Sequence, residues 1–164
     1  MSALITITDA AKRFVKGRET ISIFDKLNLT IEAGDFIAIM GPSGSGKTTL
    51  LNLLGGIDRP TDGAIIFDGA RVDKLTESQL SAWRAANIGF IFQFYNLMPM
   101  LNAARNVELP LLLTGLSAKE RARRVQVALQ IVGLAERSGH LPREMSGGQQ
   151  QRVAIARAIV ADPK

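Results

Sequence analysis

The sequence predicts an α/β fold in which a parallel strand–loop–helix core is joined to an antiparallel β subdomain and a helical subdomain. Three features carry that expectation. Short stretches near the N-terminus alternate apolar and polar residues, the period of half-exposed strands. Two later runs are continuously apolar, as in strands covered on both faces. From residue 94 onward the apolar spacing shifts to three and four, the period of a helix.

Taken in order, residues 4–8 (Leu-Ile-Thr-Ile-Thr) and 27–31 (Leu-Asn-Leu-Thr-Ile) read as strands of an antiparallel sheet. Residues 36–40 (Phe-Ile-Ala-Ile-Met) follow Gly34 and Asp35 as a buried strand and run into a glycine-rich loop. A helix then carries Thr49 to Leu54 and stops at Gly55 and Gly56. Residues 63–67 form a further strand that turns at Asp68 and Gly69. Thr76 and Gln79 have capping-box spacing and open a helix that fails near Asn87. Residues 88–92 (Ile-Gly-Phe-Ile-Phe) are a second buried-type strand ending at Gln93. The helical subdomain covers about 94–146. Within it Ser117 and Glu120 make another capping box, Ala122, Val125, Leu129 and Val132 form an apolar stripe, and Gly133 is the stop. Ser146 caps a last helix, rich in Ala and Ile, that ends at Asp162 and Pro163.

At 164 residues the chain is expected to be a single domain. With no cysteine, it has neither a disulfide framework nor a thiolate-held zinc or iron–sulfur centre. No apolar run approaches the roughly 18 residues that span a bilayer, and the first residues lack the pattern of a secretory signal. A net charge of +5 raises nucleic acid as a partner. The basic residues are spread along the chain, however, and the densest group, Lys119, Arg121, Arg123 and Arg124, lies beside Glu120 as on a solvated helix face. Aromatic residues are too sparse for stacking of single strands, so no nucleic-acid partner is expected.

The loop at residues 41–48 has the spacing Gly, four residues, Gly-Lys-Thr, the Walker A pattern, between a buried strand and a helix. Backbone amides that converge on phosphate oxygens require unusual dihedrals and leave no room for side chains, which Gly41, Gly44 and Gly46 allow. The helix beginning near Lys47 adds unpaired N–H groups and the positive end of its dipole. Lys47 reaches the β- and γ-phosphates in such a loop, and the Thr48 hydroxyl ligates Mg²⁺. Ser146, Gly147 and Gly148 leave a second set of amides uncovered at a helix start, a second anion site.

Met145-Ser-Gly-Gly-Gln149, followed by Arg152 and by Ala154-Ile-Ala-Arg157, resembles the signature motif of ATP-binding-cassette (ABC) ATPases, and Phe92-Gln93 resembles their Q-loop. The likeness extends over essentially the whole chain. It implies a P-loop NTPase core with an antiparallel β subdomain and a helical subdomain, and an ABC-type ATPase activity with ATP and Mg²⁺ as cofactors. It further implies that Gly41, Ser43, Gly44, Ser45, Gly46, Lys47, Thr48 and Thr49 hold the nucleotide and that Thr48 and Gln93 approach the metal. Lys47 and Gln93 serve the reaction, Gln93 beside the attacking water. A homodimer arranged head to tail is expected, in which Ser146, Gly147, Gly148 and Gln149 face ATP held by the partner.

Phe14 looks like the aromatic that stacks on adenine, where the family more often has Tyr; a core position is the competing reading, and Phe24 is a second candidate for the stack. A strand end is the competing reading for Gln93. His140 precedes the signature and is expected to be an exposed loop residue, and Trp83 a packing one. Residues 55–63, 88–93 and 106–113 look like the lipoprotein-release and macrolide-export branch, although residues 102–105 (Asn-Ala-Ala-Arg) depart from its pattern. The implied role is the ATPase of an exporter or lipoprotein-release system, acting with integral-membrane permease subunits and peripheral to the cytoplasmic side of a bacterial inner membrane. A soluble ABC protein acting on ribosomes or DNA, and a nucleotide-gated module without catalysis, are the alternatives. Because the family's Walker B carboxylates, D-loop and switch histidine lie downstream of the signature helix, the 164 residues are expected to be a truncated or incompletely recorded domain with negligible turnover of its own.

Overall fold

The alternation near the N-terminus resolves into a long hairpin of β1 (Ala3–Lys16) and β2 (Glu19–Glu32), paired antiparallel with Ile7 opposite Leu29 and Phe14 opposite Ile21. This is a computed structural model, and it describes residues 3–164. β3 (Asp62–Phe67) pairs with the other edge of β1, placing Ile65 opposite Ile7, and β4 (Ala70–Arg71) completes the order β2-β1-β3-β4. Side chains alternate across a strand, so Ile7, Ile65 and Phe67 are buried on one face of the sheet. Asp68 and Gly69 both have positive φ, the geometry of a tight hairpin turn between β3 and β4. Where β1 bulges past Thr8, a side chain at Gly63 would run into the Asp9 carbonyl, so only glycine fits.

The chain divides into two compact units, Met1–Leu80 and Ser81–Lys164. In the first, α1 (Lys47–Leu54) buries Leu53 and ends at Gly55 and Gly56, the latter with φ 62°. The Asp73 carboxylate accepts from the Ile65 amide (3.0 Å) and from two nitrogens of Arg71, tying the residues after β4 to β3. Thr76 caps α2 (Glu77–Asn87): its hydroxyl accepts from the Gln79 amide and the Gln79 side chain accepts from the Thr76 amide.

Residues 36–40 are not a buried strand. They carry no ladder, and Phe36 and Met40 are 99% and 89% exposed. An apolar run becomes a strand only beside another strand, and the described sheet pairs β1 to β4 among themselves, all antiparallel. Residues 88–92 likewise lie outside any strand, with Ile91 and Phe92 exposed. The parallel core is therefore absent among the described residues.

The second unit is helical. α3 (Ala103–Glu108), α4 (Ala118–Ile131) and α5 (Gly147–Ile159), with short 3₁₀ turns between them, enclose a core in which Val107, Leu111, Leu129 and Val153 are fully covered. Each such side chain contributes roughly 1.5–3 kcal/mol by leaving water. The buried stripe of α4 is Val125, Ala128 and Leu129; Ala122 is exposed, because the helix turns that position toward solvent. Asn102 caps α3, Ser117 caps α4 and Ser146 caps α5, each accepting from the amide three residues on. Asn106 is wholly buried and saturated: its oxygen accepts from the Met98 amide and its nitrogen donates to the carbonyls of Met98, Leu101 and Asn102. Among the described residues no helix is long and apolar enough to cross a membrane.

Candidate functional site

The loop of residues 41–46 owes its path to backbone that only glycine adopts readily. Gly44 and Gly46 have φ of 81° and 89°, and Gly46 precedes the first residue of α1 in the left-handed region. Space restricts it further: a methyl on Gly46 would lie 2.7 Å from Ile23 Cγ2 and 2.9 Å from Phe24 Cζ, and one on Gly41 would lie 2.8 Å from Ser45 Oγ. Phe24 thus packs against the loop from β2.

Lys47 folds back over the loop that it ends. Its ammonium donates to the carbonyl oxygens of Gly41 (2.9 Å) and Pro42 (2.7 Å), with Ser45 Oγ at 3.5 Å. A cation is therefore held over an exposed, glycine-built turn at the start of a helix, where amides and dipole both favour an anion. Ser43, Ser45 and Thr48 are exposed and Thr49 is half-buried in the same stretch. This cradle fits a phosphate chain, and the Thr48 hydroxyl is the oxygen type that Mg²⁺ takes. Among the described residues there is no cluster of His, Asp or Glu able to hold a metal by itself.

Phe14 is 43% exposed on β1, and the Lys12 ammonium lies 4.8 Å from the centre of its ring. Lys12 is itself nearly buried, fixed by Asp58 (2.6 Å) and the Arg59 carbonyl (2.9 Å). Phe14 pairs with Ile21, and the loop packs against Ile23 and Phe24, two and three residues further along β2. At about 3.3 Å per residue, that is roughly 7–10 Å along the strand.

The other candidate residues belong to the second unit. Gln93 is exposed in a turn closed by the Tyr95 amide and the Phe92 carbonyl (3.0 Å). Ser146 and Gln149 form a reciprocal capping box at the start of α5, and Gly147 and Gly148 are exposed, with open space where side chains would stand. His140 is half-buried rather than exposed: its backbone is bonded to Arg137 and Ala103, and its ring lies against Arg137, with Nε2 3.0 Å from Nη1. Trp83 is half-buried on α2.

Two carboxylates, one in each unit, are held by arginines in three ion pairs. Arg121 and Arg105 both bond Glu108, whose carboxyl the Arg121 hydrogen bond holds below its usual range against the opposing effect of burial. Burial pushes the Asp73 carboxyl up, but the bonds from Arg71 and the Ile65 amide together outweigh it and leave Asp73 below its usual range. Arg157 of α5 donates to the carbonyls of Tyr95 and Asn96, a contact that no sequence pattern announces because 62 and 61 residues separate the partners.

A glycine loop with its lysine in the first unit and a capped Ser-Gly-Gly-Gln helix in the second are the features expected of a P-loop ATPase of the cassette class. Residues 24–164 match the family model described as ABC transporter, and the chain belongs to that family. It is 44% identical over 164 residues to the lipoprotein-releasing system ATP-binding protein LolD of Geobacter metallireducens, covering 100% of this chain and 73% of LolD. It is 49% identical over 156 residues to the macrolide export ATP-binding/permease protein MacB 2 of Aeromonas hydrophila, covering 95% of this chain and 24% of that one. The dimeric structure of a post-hydrolysis state of the ATP-binding cassette MJ0796 bound to ADP and Pi matches with a TM-score of 0.89 at 42% identity, over 97% of this chain and 70% of that chain. The likeness supports the ABC-ATPase fold class the sequence predicts, with the antiparallel sheet and the helices formed and the parallel strands not formed among the described residues, and by family the chain is an ABC-type ATPase.

Proposed function

We propose that this chain binds Mg-ATP on the loop of residues 41–49 and, paired head to tail with a second copy, powers export or lipoprotein release through an integral-membrane permease. The observation that carries the reading is the loop itself: Gly46 is held at φ 89° against Ile23 and Phe24, and Lys47 lies over the turn on two carbonyls. Such a loop keeps the Lys47 ammonium at the start of α1, where it exchanges the two carbonyls for phosphate oxygens.

In this reading the amides of residues 43–47 and the Lys47 ammonium would bind the phosphates and Thr48 would hold the metal, and the family resemblance assigns Gln93 to the metal as well. Bound Mg²⁺ would supply charge neutralisation at the phosphates. Gln93 orients the water, and the exposed face of Phe14 stacks on adenine with the Lys12 cation behind it. Ser146, Gly147, Gly148 and Gln149 offer the start of α5 to the nucleotide of the partner copy. The similarity to LolD and MacB 2 supports the release and export branch, and with it a position peripheral to the cytoplasmic side of a bacterial inner membrane.

Titration calorimetry with Mg-ATP on the full-length protein tests the nucleotide site. The expected result is measurable affinity that Lys47→Ala lowers by about tenfold or more, the loss of one strong charge-assisted contact. Equal affinity in the two proteins would overturn it. Co-purification with the permease tests the partner: substitution of the exposed Phe94 and Met100 by Ser should release the ATPase from detergent-solubilised complex, and retention at wild-type level counts against a permease seated there.

A further inference from the structure

Two residues after Gln93 the backbone enters the left-handed region and stays there for a pair of residues. Tyr95 and Asn96 have φ of 60° and 46°, left-handed values that Asn tolerates and a bulky Tyr resists. Such residues persist only where the surroundings over-determine them. Here the turn's own bonds, from the Tyr95 amide to Phe92 and from the Asn96 amide to Phe94, are joined by a restraint from α5: Arg157 Nη2 lies 2.5 Å from the Tyr95 carbonyl and Nη1 lies 2.8 Å from that of Asn96. A planar guanidinium can bond both oxygens at once, which a lysine's ammonium does poorly. The same segment is pinned to α5 a second time, because Gly89 backs onto the Ala158 carbonyl so closely that no methyl group fits. The turn carrying Gln93 is thus clasped by neighbouring residues of α5, Arg157 and Ala158.

The far end of that helix carries Ser146, Gly147 and Gly148. Arg157 follows Gly147 by ten residues, about 15 Å along a rigid α-helix. Burial works against the Arg157 charge, and the two carbonyls are the groups that compensate it. A side chain this constrained transmits displacement of the helix to the turn.

We propose that Arg157 is a positioning residue that locks the Gln93 turn to the signature helix, so that engagement of residues 146–149 and placement of Gln93 are one event. The proposal rests on the reading of Gln93 and the signature residues as groups that face nucleotide. It extends that reading to a residue which touches no nucleotide itself.

The test uses the full-length protein and the variants Arg157→Met, Arg157→Lys, Gln93→Ala and the double variant Arg157→Met with Gln93→Ala. Arg157→Met keeps the apolar stem and removes both hydrogen bonds. Its monomer affinity for Mg-ATP should stay within about twofold of wild type, since the glycine loop belongs to the other compact unit. Its kcat should fall about tenfold, as expected for a misplaced catalytic group. Amide exchange over residues 94–97 should accelerate by about tenfold, with Arg157→Lys intermediate in both readouts. In the Gln93→Ala background the Met substitution should cost kcat no more than about twofold, because the two residues act in series.

Unchanged exchange in Arg157→Met overturns the clasp, and an undiminished tenfold loss in the Gln93→Ala background overturns the route through Gln93. Loss of nucleotide affinity together with turnover reduces Arg157 to a folding role. Should Arg157→Met fail to fold, Arg157→Lys carries the same test. If Gln93→Ala alone turns over at the wild-type rate, the assigned role of Gln93 fails, and the exchange measurement still decides whether Arg157 holds the turn.

Discussion

At Gly46 two independent constraints meet. The backbone is left-handed, and the space a Cβ needs is filled by Ile23 and Phe24. Gly46→Ala is therefore expected to destabilise the first unit by about 1–3 kcal/mol and to lower Mg-ATP affinity with it. Lys47→Ala has no such backbone cost, so its melting temperature should stay near wild type while its affinity falls. Thermal melts and calorimetry on the same two variants separate the roles: a Gly46→Ala protein with wild-type stability and affinity refutes the steric argument. These residues were readable in the sequence because the motif is local and each glycine answers a dihedral. Arg157 was not, since nothing along the chain links it to Tyr95 and Asn96. Its signal is a bulky basic residue on the buried side of an Ala-rich helix, next to Ala156 and Ala158.

Among the elements, those fixed by local chemistry match the sequence closely. The caps at Thr76 and Ser146, the stop at Gly133 and the turn at Asp68 and Gly69 all depend on neighbours within a few residues, whereas at Ser117 only half of the expected box forms, because the Glu120 carboxylate turns toward Arg123 and Arg124. Residues 36–40 and 88–92 depend instead on a partner strand, which an apolar run cannot specify, and there the expected strands do not form. The cap of α5 gives an element-scale prediction. Ser146→Ala removes the acceptor for the Gln149 amide at 3.3 Å and breaks the reciprocal box, which should cost about 1 kcal/mol. Ser146→Thr should recover most of it. Leu129→Ala, which leaves a cavity beside Val107 and Val153 in the helical core, is expected to cost about 2–5 kcal/mol. Urea unfolding followed by circular dichroism ranks the two, and a cap loss equal to the core loss contradicts the packing described.

For the molecule as a whole, acid stability depends on one strongly held carboxylate in each compact unit: Asp73 with Arg71 in the first, Glu108 with Arg105 and Arg121 in the second. Both folded-state values lie below the ordinary carboxylate range. A carboxyl depressed on folding contributes stability that is fully present above its unfolded pKa and is lost as pH falls through the folded value. Both units should therefore weaken below about pH 4 rather than on the alkaline side. Trp83, the one tryptophan, lies in the second unit and reports on it separately. Glu108→Gln is expected to lower the stability followed by Trp83 fluorescence at pH 7 by roughly 1–3 kcal/mol and to flatten its decline in acid, because Arg121 loses its charged acceptor. Asp73→Asn should alter the acid transition seen in the strand signal and leave the fluorescence midpoint in place. Coincident shifts in both signals for both variants would mean that the two units unfold as one cooperative body, and the separate assignment of the two carboxylates would then have to be abandoned.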